Sequence, residues 1–322
     1  MKDPFLSLAV PELAKAVQPL ADWLQLPTLP LHIHEVLGAA LLYTVIFWPI
    51  SPLLSGWLAP KTYYGLTKRK RVNWDAHVVS MVQCIFINVL AVWVVLFDET
   101  RRTMGWEERV WAYTETSAMV QALAAGYFLW DLIVTRMYLD VFGIGALAHA
   151  AAALIVYSLG FRPIVNYYST VFILWELSTP FLNVHWFMDK LGMTGSKLQF
   201  YNGLMLLFSF LSARLVFGTY YSLQVLHDLW MASNHRVSAE KRVSVGMVHV
   251  TDQTRVPAWI MISYLLSNMT LNYLNFYWFF KMIKALRRRF DPVQTTPVDT
   301  KPNGTATATG STKVATPRRR KA

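Results

Sequence analysis

The chain has 322 residues, of which 54% are hydrophobic and only 15% charged, and its mean hydropathy is +0.32. A soluble domain carries about 25% charged residues, so this composition excludes one and requires an apolar solvent around much of the chain. The net charge of +11 does not mark a nucleic-acid binder: eleven Lys or Arg against two Asp lie between Lys281 and the C-terminus, which leaves +2 for residues 1–280.

Residues 1–33 lack the compact basic region, apolar core and small-residue cleavage site of a secretory signal. Pro4, Pro11 and Pro19 interrupt them, so the reading is an interfacial amphipathic segment. Apolar blocks near twenty residues, enough to cross a hydrocarbon core of about 30 Å, then recur along the chain. They predict an all-α polytopic membrane protein with about seven spans, at 34–58, 76–97, 117–139, 144–161, 164–181, 199–226 and 259–283. The fourth and fifth are short and closely linked, which suggests tilt, kinking or burial by neighbours.

The loop "KTYYGLTKRKR" after the first span has five Lys or Arg and no acid. Basic loops stay cytosolic, which places the N-terminus in the lumen and, after seven spans, the C-terminus in the cytosol. Lys68, Arg69, Lys70, Arg71 and the basic tail are expected to meet anionic lipid headgroups. The tail, 286–322, is rich in Thr, Pro, Gly and Lys and is expected to be disordered. The patterns "NMT" at Asn268 and "NGT" at Asn303 match the glycosylation motif. The first falls in a span and the second in the cytosolic tail, so neither is expected to be used.

Chemistry-bearing motifs are few. Cys84, the single cysteine, lies in an apolar run and reads as a small buried hydrophobe. "HIH" at His32 and His34 reads as interfacial and isolated, and "LHD" at His227 and Asp228 as a helix terminus. No metal site and no resident cofactor is expected. Ionisable groups at membrane depth cost at least about 2.5–3.5 kcal/mol on insertion scales and so face a protein interior or a wet cavity. The spans contain Asp131, His149, Glu176, Asn183 and Arg214, with Asn88 and Asn202 as milder cases.

Asp131 in "GYFLWDLIV" lies four residues after Tyr127, on the same helix face. His149 in "GALAHAAAALIV" sits among small residues that permit close helix approach; it reads equally as an interhelical hydrogen-bond partner or a ligand contact. A turn near Gly143 makes the third and fourth spans antiparallel neighbours. At a rise of 1.5 Å per residue, Asp131 and His149 lie roughly 17 and 8 Å from that turn, so both can line one cavity. Arg214 is the countercharge expected for Asp131 or Glu176. In "WELSTPFLNVHW", Glu176, Thr179, Pro180 and Asn183 recur at helical spacing. Pro180 lacks an N–H and clashes with the carbonyl four residues back, so a kink is expected there that frees the Glu176 carbonyl. Asn183, His185 and Asp189 fall near the expected end of the span.

The stretches "RVNWDAHVVSMVQC", "GYFLWDLIV", the single His149 in a small-residue helix and "WELSTPFLNVHWFMD" resemble the TLC-domain family of endoplasmic reticulum membrane proteins, in particular its TLCD-type branch and fungal relatives. The resemblance covers roughly residues 65–285. It implies one outer helix, 34–60, followed by a six-helix barrel over 65–285. Ceramide synthases belong to the same family, and their activity is linked to a paired His-His and an acidic cluster. Here His149 is followed by Ala150, and "WELSTPFLNVHW" stands where the acidic residues are expected. The reading is therefore a non-catalytic protein of membrane lipid homeostasis that handles a lipid or acyl chain in its barrel. Tyr127, Asp131, His149, Glu176, Asn183 and Arg214 would line the cavity, and Pro180 would set the kink. Two alternatives stand beside it: an acyltransferase using His149, with Asp131, and acyl-CoA, and a transport or scaffold accessory protein.

Overall fold

The structure, a computed structural model, describes residues 1–236 and 255–287. Among these, every regular element is helical. The tail beyond Arg287, including Asn303, lies outside the described residues.

Among the described residues, seven helical rods follow one another. Rods one (Leu29–Leu58), two (Lys68–Phe97), three (Glu115–Met137) and six (Lys197–Asn234) are each long and apolar enough to cross a membrane. Rod four is shorter, Ile144–Leu159. Rod five is broken into Asn166–Phe172, a 3-10 segment Ile173–Ser178, and Thr179–Lys190. Rod seven runs Ala258–Arg287. The chain is an all-α polytopic membrane protein.

Rods two, three, four, seven, six and five pack in that spatial order, and five returns to two, so six rods close a ring. Rod one lies outside it, packed along rod three and touching rod two. Without a hydrophobic drive between helices in lipid, close backbone approach holds such rods together. Gly126 on rod three is an instance: a Cβ there would run into the Val36 carbonyl and the Ala39 side chain of rod one. Outward faces are apolar, as lipid requires; Leu53, Val89, Phe208 and Leu223 are all well exposed. Gly143, at φ +81°, turns rod three back into rod four, a left-handed conformation natural to glycine.

Three rods depart from plain α-helix, and two of them build the centre of the molecule. Rod one passes through a π-turn at Ile46–Ile50 around Pro49, a device that accommodates the missing N–H. Rod six carries a π-segment, Leu211–Phe217, with Arg214 in its middle. The 3-10 segment of rod five packs directly against it. π-segments are uncommon and concentrate where a helix must aim a side chain.

The N-terminal segment is helical over much of its length. Pro11 opens a helix, Pro11–Leu24, at a position where its missing N–H costs nothing. That helix packs on rod one, with exposed Trp23 on its outer side.

Candidate functional site

The ring encloses a cavity with roughly 820 Å³ of space not filled by protein atoms, solvent at its mouth included. Rods three to seven contribute to its wall and rod two does not. Most of the wall is aromatic or aliphatic, including Phe128, Tyr157, Phe172 and Leu271. Its polar members include His149, Glu176 and Arg214, with Gln121 and Asn268 beside them.

Broken backbone geometry creates the polar wall. Within rod five the Thr179 N–H bonds to the Glu176 carbonyl, three residues back, instead of to Trp175. Pro180 therefore sits in the first turn of the following helix and not in a helix interior. The expectation that it releases the Glu176 carbonyl is corrected: Thr179 occupies that acceptor. The carbonyl made available lies one residue earlier, at Trp175, and Arg214 Nε donates to it at 2.8 Å. The same Nε also donates to Ser178 Oγ (3.1 Å), while Nη1 reaches Asn275 Oδ1 (3.2 Å) and Nη2 reaches Thr179 Oγ1 (3.1 Å) and Glu176 Oε1 (3.2 Å). The guanidinium is buried, and its charge is offset by Glu176. A planar fork with five N–H donors suits this convergence of acceptors, as a lysine would not.

Of the two carboxylates expected to compete for Arg214, Glu176 holds it. Asp131 is not among the lining residues of this cavity; its Oδ1 accepts from Thr135 Oγ1 within rod three, at 3.3 Å. Tyr127 likewise lies outside the wall. It packs edge-on to Tyr43 and stacks on Trp130, inside the contact between rods one and three. Asn183 is buried too, but away from the cavity. Rod five continues to Lys190, so Asn183 is mid-helix and bridges to rod two: its Oδ1 accepts from His77 Nδ1 at 2.8 Å, and its Nδ2 donates to Ser80 Oγ at 3.0 Å. His77 also stacks on Trp186, with ring centroids 4.1 Å apart. His149 meets two rings, Phe128 and Trp278. No hydrogen bond joins it to another described residue.

Two further polar centres were not assembled from the sequence. The first is Asp228. Rod six extends to Asn234, so "LHD" is not its terminus. Asp228 is wholly buried and takes Arg109 Nε at 2.7 Å, Arg109 Nη2 at 3.0 Å and Tyr168 OH at 2.5 Å. This bidentate pair ties rod six to the short helix Trp106–Trp111 and to rod five.

The second centre overturns the reading of "HIH" as isolated. His32 is fully buried. Its Nδ1 lies 2.8 Å from Glu35 Oε2 and 3.7 Å from Asp3 Oδ2, and its Nε2 is 2.5 Å from Tyr113 OH. Burial and the neighbouring Glu35 carboxyl push Asp3 up to about 7, against the pull of the Phe5 amide and His32. Only the i, i+3 spacing of His32 and Glu35 was visible in the sequence; Asp3 joins through the fold.

Residues 73–284 match the TLC domain family. Over 279 residues the chain is 37% identical to an uncharacterized TLC domain-containing protein of Schizosaccharomyces pombe, covering 86% of both chains. It is 26% identical to topoisomerase I damage affected protein 4 of Saccharomyces cerevisiae, over 83% of this chain and 89% of that one. It is 24% identical to human TLC domain-containing protein 4, over 76% and 84% respectively. No solved structure matches.

Proposed function

The chain belongs to the TLC-domain family, in its TLCD-type branch, and we propose that it binds a membrane lipid in the ring cavity and acts in membrane lipid homeostasis. The cavity itself carries this reading. It is a largely apolar chamber whose charged lining residues among those described, Glu176 and Arg214, neutralise one another. Apolar walls suit acyl chains, and a small number of fixed polar groups orients a headgroup. Because each nitrogen of Arg214 donates to the protein, it anchors the wall, while His149, with no hydrogen bond to another described residue, is available to meet a ligand.

The same reading puts the protein in the endoplasmic reticulum with its N-terminus lumenal and its C-terminus cytosolic. Lys68, Arg69 and Lys70 are exposed at the start of rod two. Cations at a helix N-terminus oppose its dipole, and Asp140 is the sole acid paired with any of them among the described residues, through Arg69 at 2.9 Å. Anionic headgroups at the cytosolic surface would supply the missing negative charge.

Native mass spectrometry of the detergent-purified chain tests the proposal. Wild-type protein is expected to retain a lipid mass, and Ala153→Phe, which fills the cavity from rod four, is expected to lose it while keeping helical content. Wild type with no retained lipid, or equal retention by the filled variant, would refute the reading.

A further inference from the structure

We propose that Asp3, His32 and Glu35 form a binding site for a divalent first-row metal ion, for which Zn2+ is the probe, at the lumenal mouth of rod one. Their ligand atoms lie within 4.8 Å of one another, and all three residues are more than nine-tenths buried. Among the described residues, Asp3 Oδ2 and Glu35 Oε1 have no hydrogen-bond partner. Buried carboxylate oxygens are ordinarily satisfied, and among the described residues neither side chain has a Lys or Arg ion-pair partner. Two acids and a neutral imidazole in a dry pocket are short of positive charge, and buried charges are paired or bound to metal.

The donor set suits such an ion. Imidazole with carboxylates binds zinc and its neighbours, at Zn–N of about 2.0–2.1 Å and Zn–O of about 2.0–2.2 Å. Tetrahedral ligands at those lengths stand roughly 3.4 Å apart. The His32 Nδ1 to Asp3 Oδ2 separation is 3.7 Å, that from Nδ1 to Glu35 Oε2 is 2.8 Å, and all three ligand atoms lie within 4.8 Å, so small side-chain adjustments bring them to ligand spacing. His32 and Glu35 at i, i+3 present both groups on one helix face, a spacing used by helical metal sites. Tyr113 completes the arrangement. With the Nε2–H donating to the Tyr113 hydroxyl at 2.5 Å, the Nδ1 lone pair points at the two carboxylates. That outer hydrogen bond is the one that fixes the tautomer of a metal-bound histidine. Three protein ligands leave one position for water or another external ligand.

The test uses full-length, tag-free protein in detergent, stripped by chelator, exposed to Zn2+ and dialysed. Elemental analysis is expected to find about one Zn2+ per chain in wild type and in His34→Ala, and to find it lost in His32→Ala and Glu35→Gln. Added Zn2+ is expected to raise the Tm of wild type and leave that of Asp3→Asn unmoved. Where a variant fails to fold, the visible spectrum of Co2+-loaded wild type decides: ligand-field bands support the site, and the spectrum of aqueous Co2+ overturns it. Wild type holding no more zinc than His32→Ala also overturns it, and then a shared proton alone holds the carboxyls together.

Discussion

Two buried acid clusters in this molecule are built on opposite terms. At the junction of rods five and six, Glu176 meets a guanidinium whose three nitrogens each donate to the protein. At the head of rod one, Asp3 and Glu35 meet a histidine and, among the described residues, no Lys or Arg. The first cluster is complete in protein atoms and holds the cavity wall in place. The second lacks a cation and depends on something the solution supplies, a proton or a metal ion. Burial makes both costly to disturb, but only the second is expected to answer to solution conditions.

The largest effect should come from breaking the complete cluster on one side. Arg214→Met leaves Glu176 buried and unpaired and is expected to cost about 3–5 kcal/mol, read as a fall in Tm of the purified protein. Removing both partners, Arg214→Met with Glu176→Gln, should recover most of that loss, since an uncharged replacement for a buried pair is often near neutral. A double variant as unstable as the single one would show that the Trp175, Ser178 and Thr179 contacts matter more than the charge.

Next comes the Arg109–Asp228 pair, in which Asp228 is wholly buried while the Arg109 side chain keeps some exposure. Asp228→Asn retains the shape and loses the charge, and is expected to cost about 1.5–3 kcal/mol in thermal unfolding, the range for hydrogen bonds to charged groups.

The metal-free N-terminal cluster should show itself through pH. Asp3 is raised in the folded state from 3.8 to about 7, so the folded chain binds more protons than the unfolded one between those values. Stability is therefore full below about pH 4 and is lost as pH rises toward 7. The groups facing Asp3 are Glu35, His32, Glu115 and the Phe5 amide. A Tm–pH profile of chelated protein should fall across that window, and Asp3→Asn should flatten it. If wild type gives a flat profile, the two clusters do not differ as described.

The smallest effect is expected where charge is exposed. Asp189 and Lys190 pair at 2.8 Å on the outside of rod five, and Asp189→Asn should shift stability by less than about 1 kcal/mol. A larger loss would show that exposure, as well as pairing, fails to separate the clusters.

Hydropathy alone located the seven rods, because each must hide its backbone polarity within itself and present apolar side chains to lipid. It misplaced ends wherever polar residues continued a helix: rod five extends to Lys190 and rod six to Asn234, since neighbouring rods bury Asn183 and Asp228. The motifs in rods two, three and five were enough to point to the TLC family. His149, Glu176 and Arg214 were legible as site candidates because ionisable residues at membrane depth are rare. Asp131, Tyr127 and Asn183 were equally conspicuous, yet they do not line the cavity, and nothing local distinguished them.

The sequence by itself determined the class, the number of rods and the set of polar residues that had to be reconciled with an apolar solvent. Tertiary structure decided who pairs with whom. A helical repeat states which residues share one face of one rod; it is silent on how rods rotate against each other. Glu176 and Arg214 stand 38 positions apart, and Arg109 and Asp228 stand 119. Asp3 reaches His32 from a separate N-terminal stretch. The 3-10 and π departures that aim Glu176 and Arg214 at each other exist only because packing compensates the regular helical hydrogen bonds they forgo.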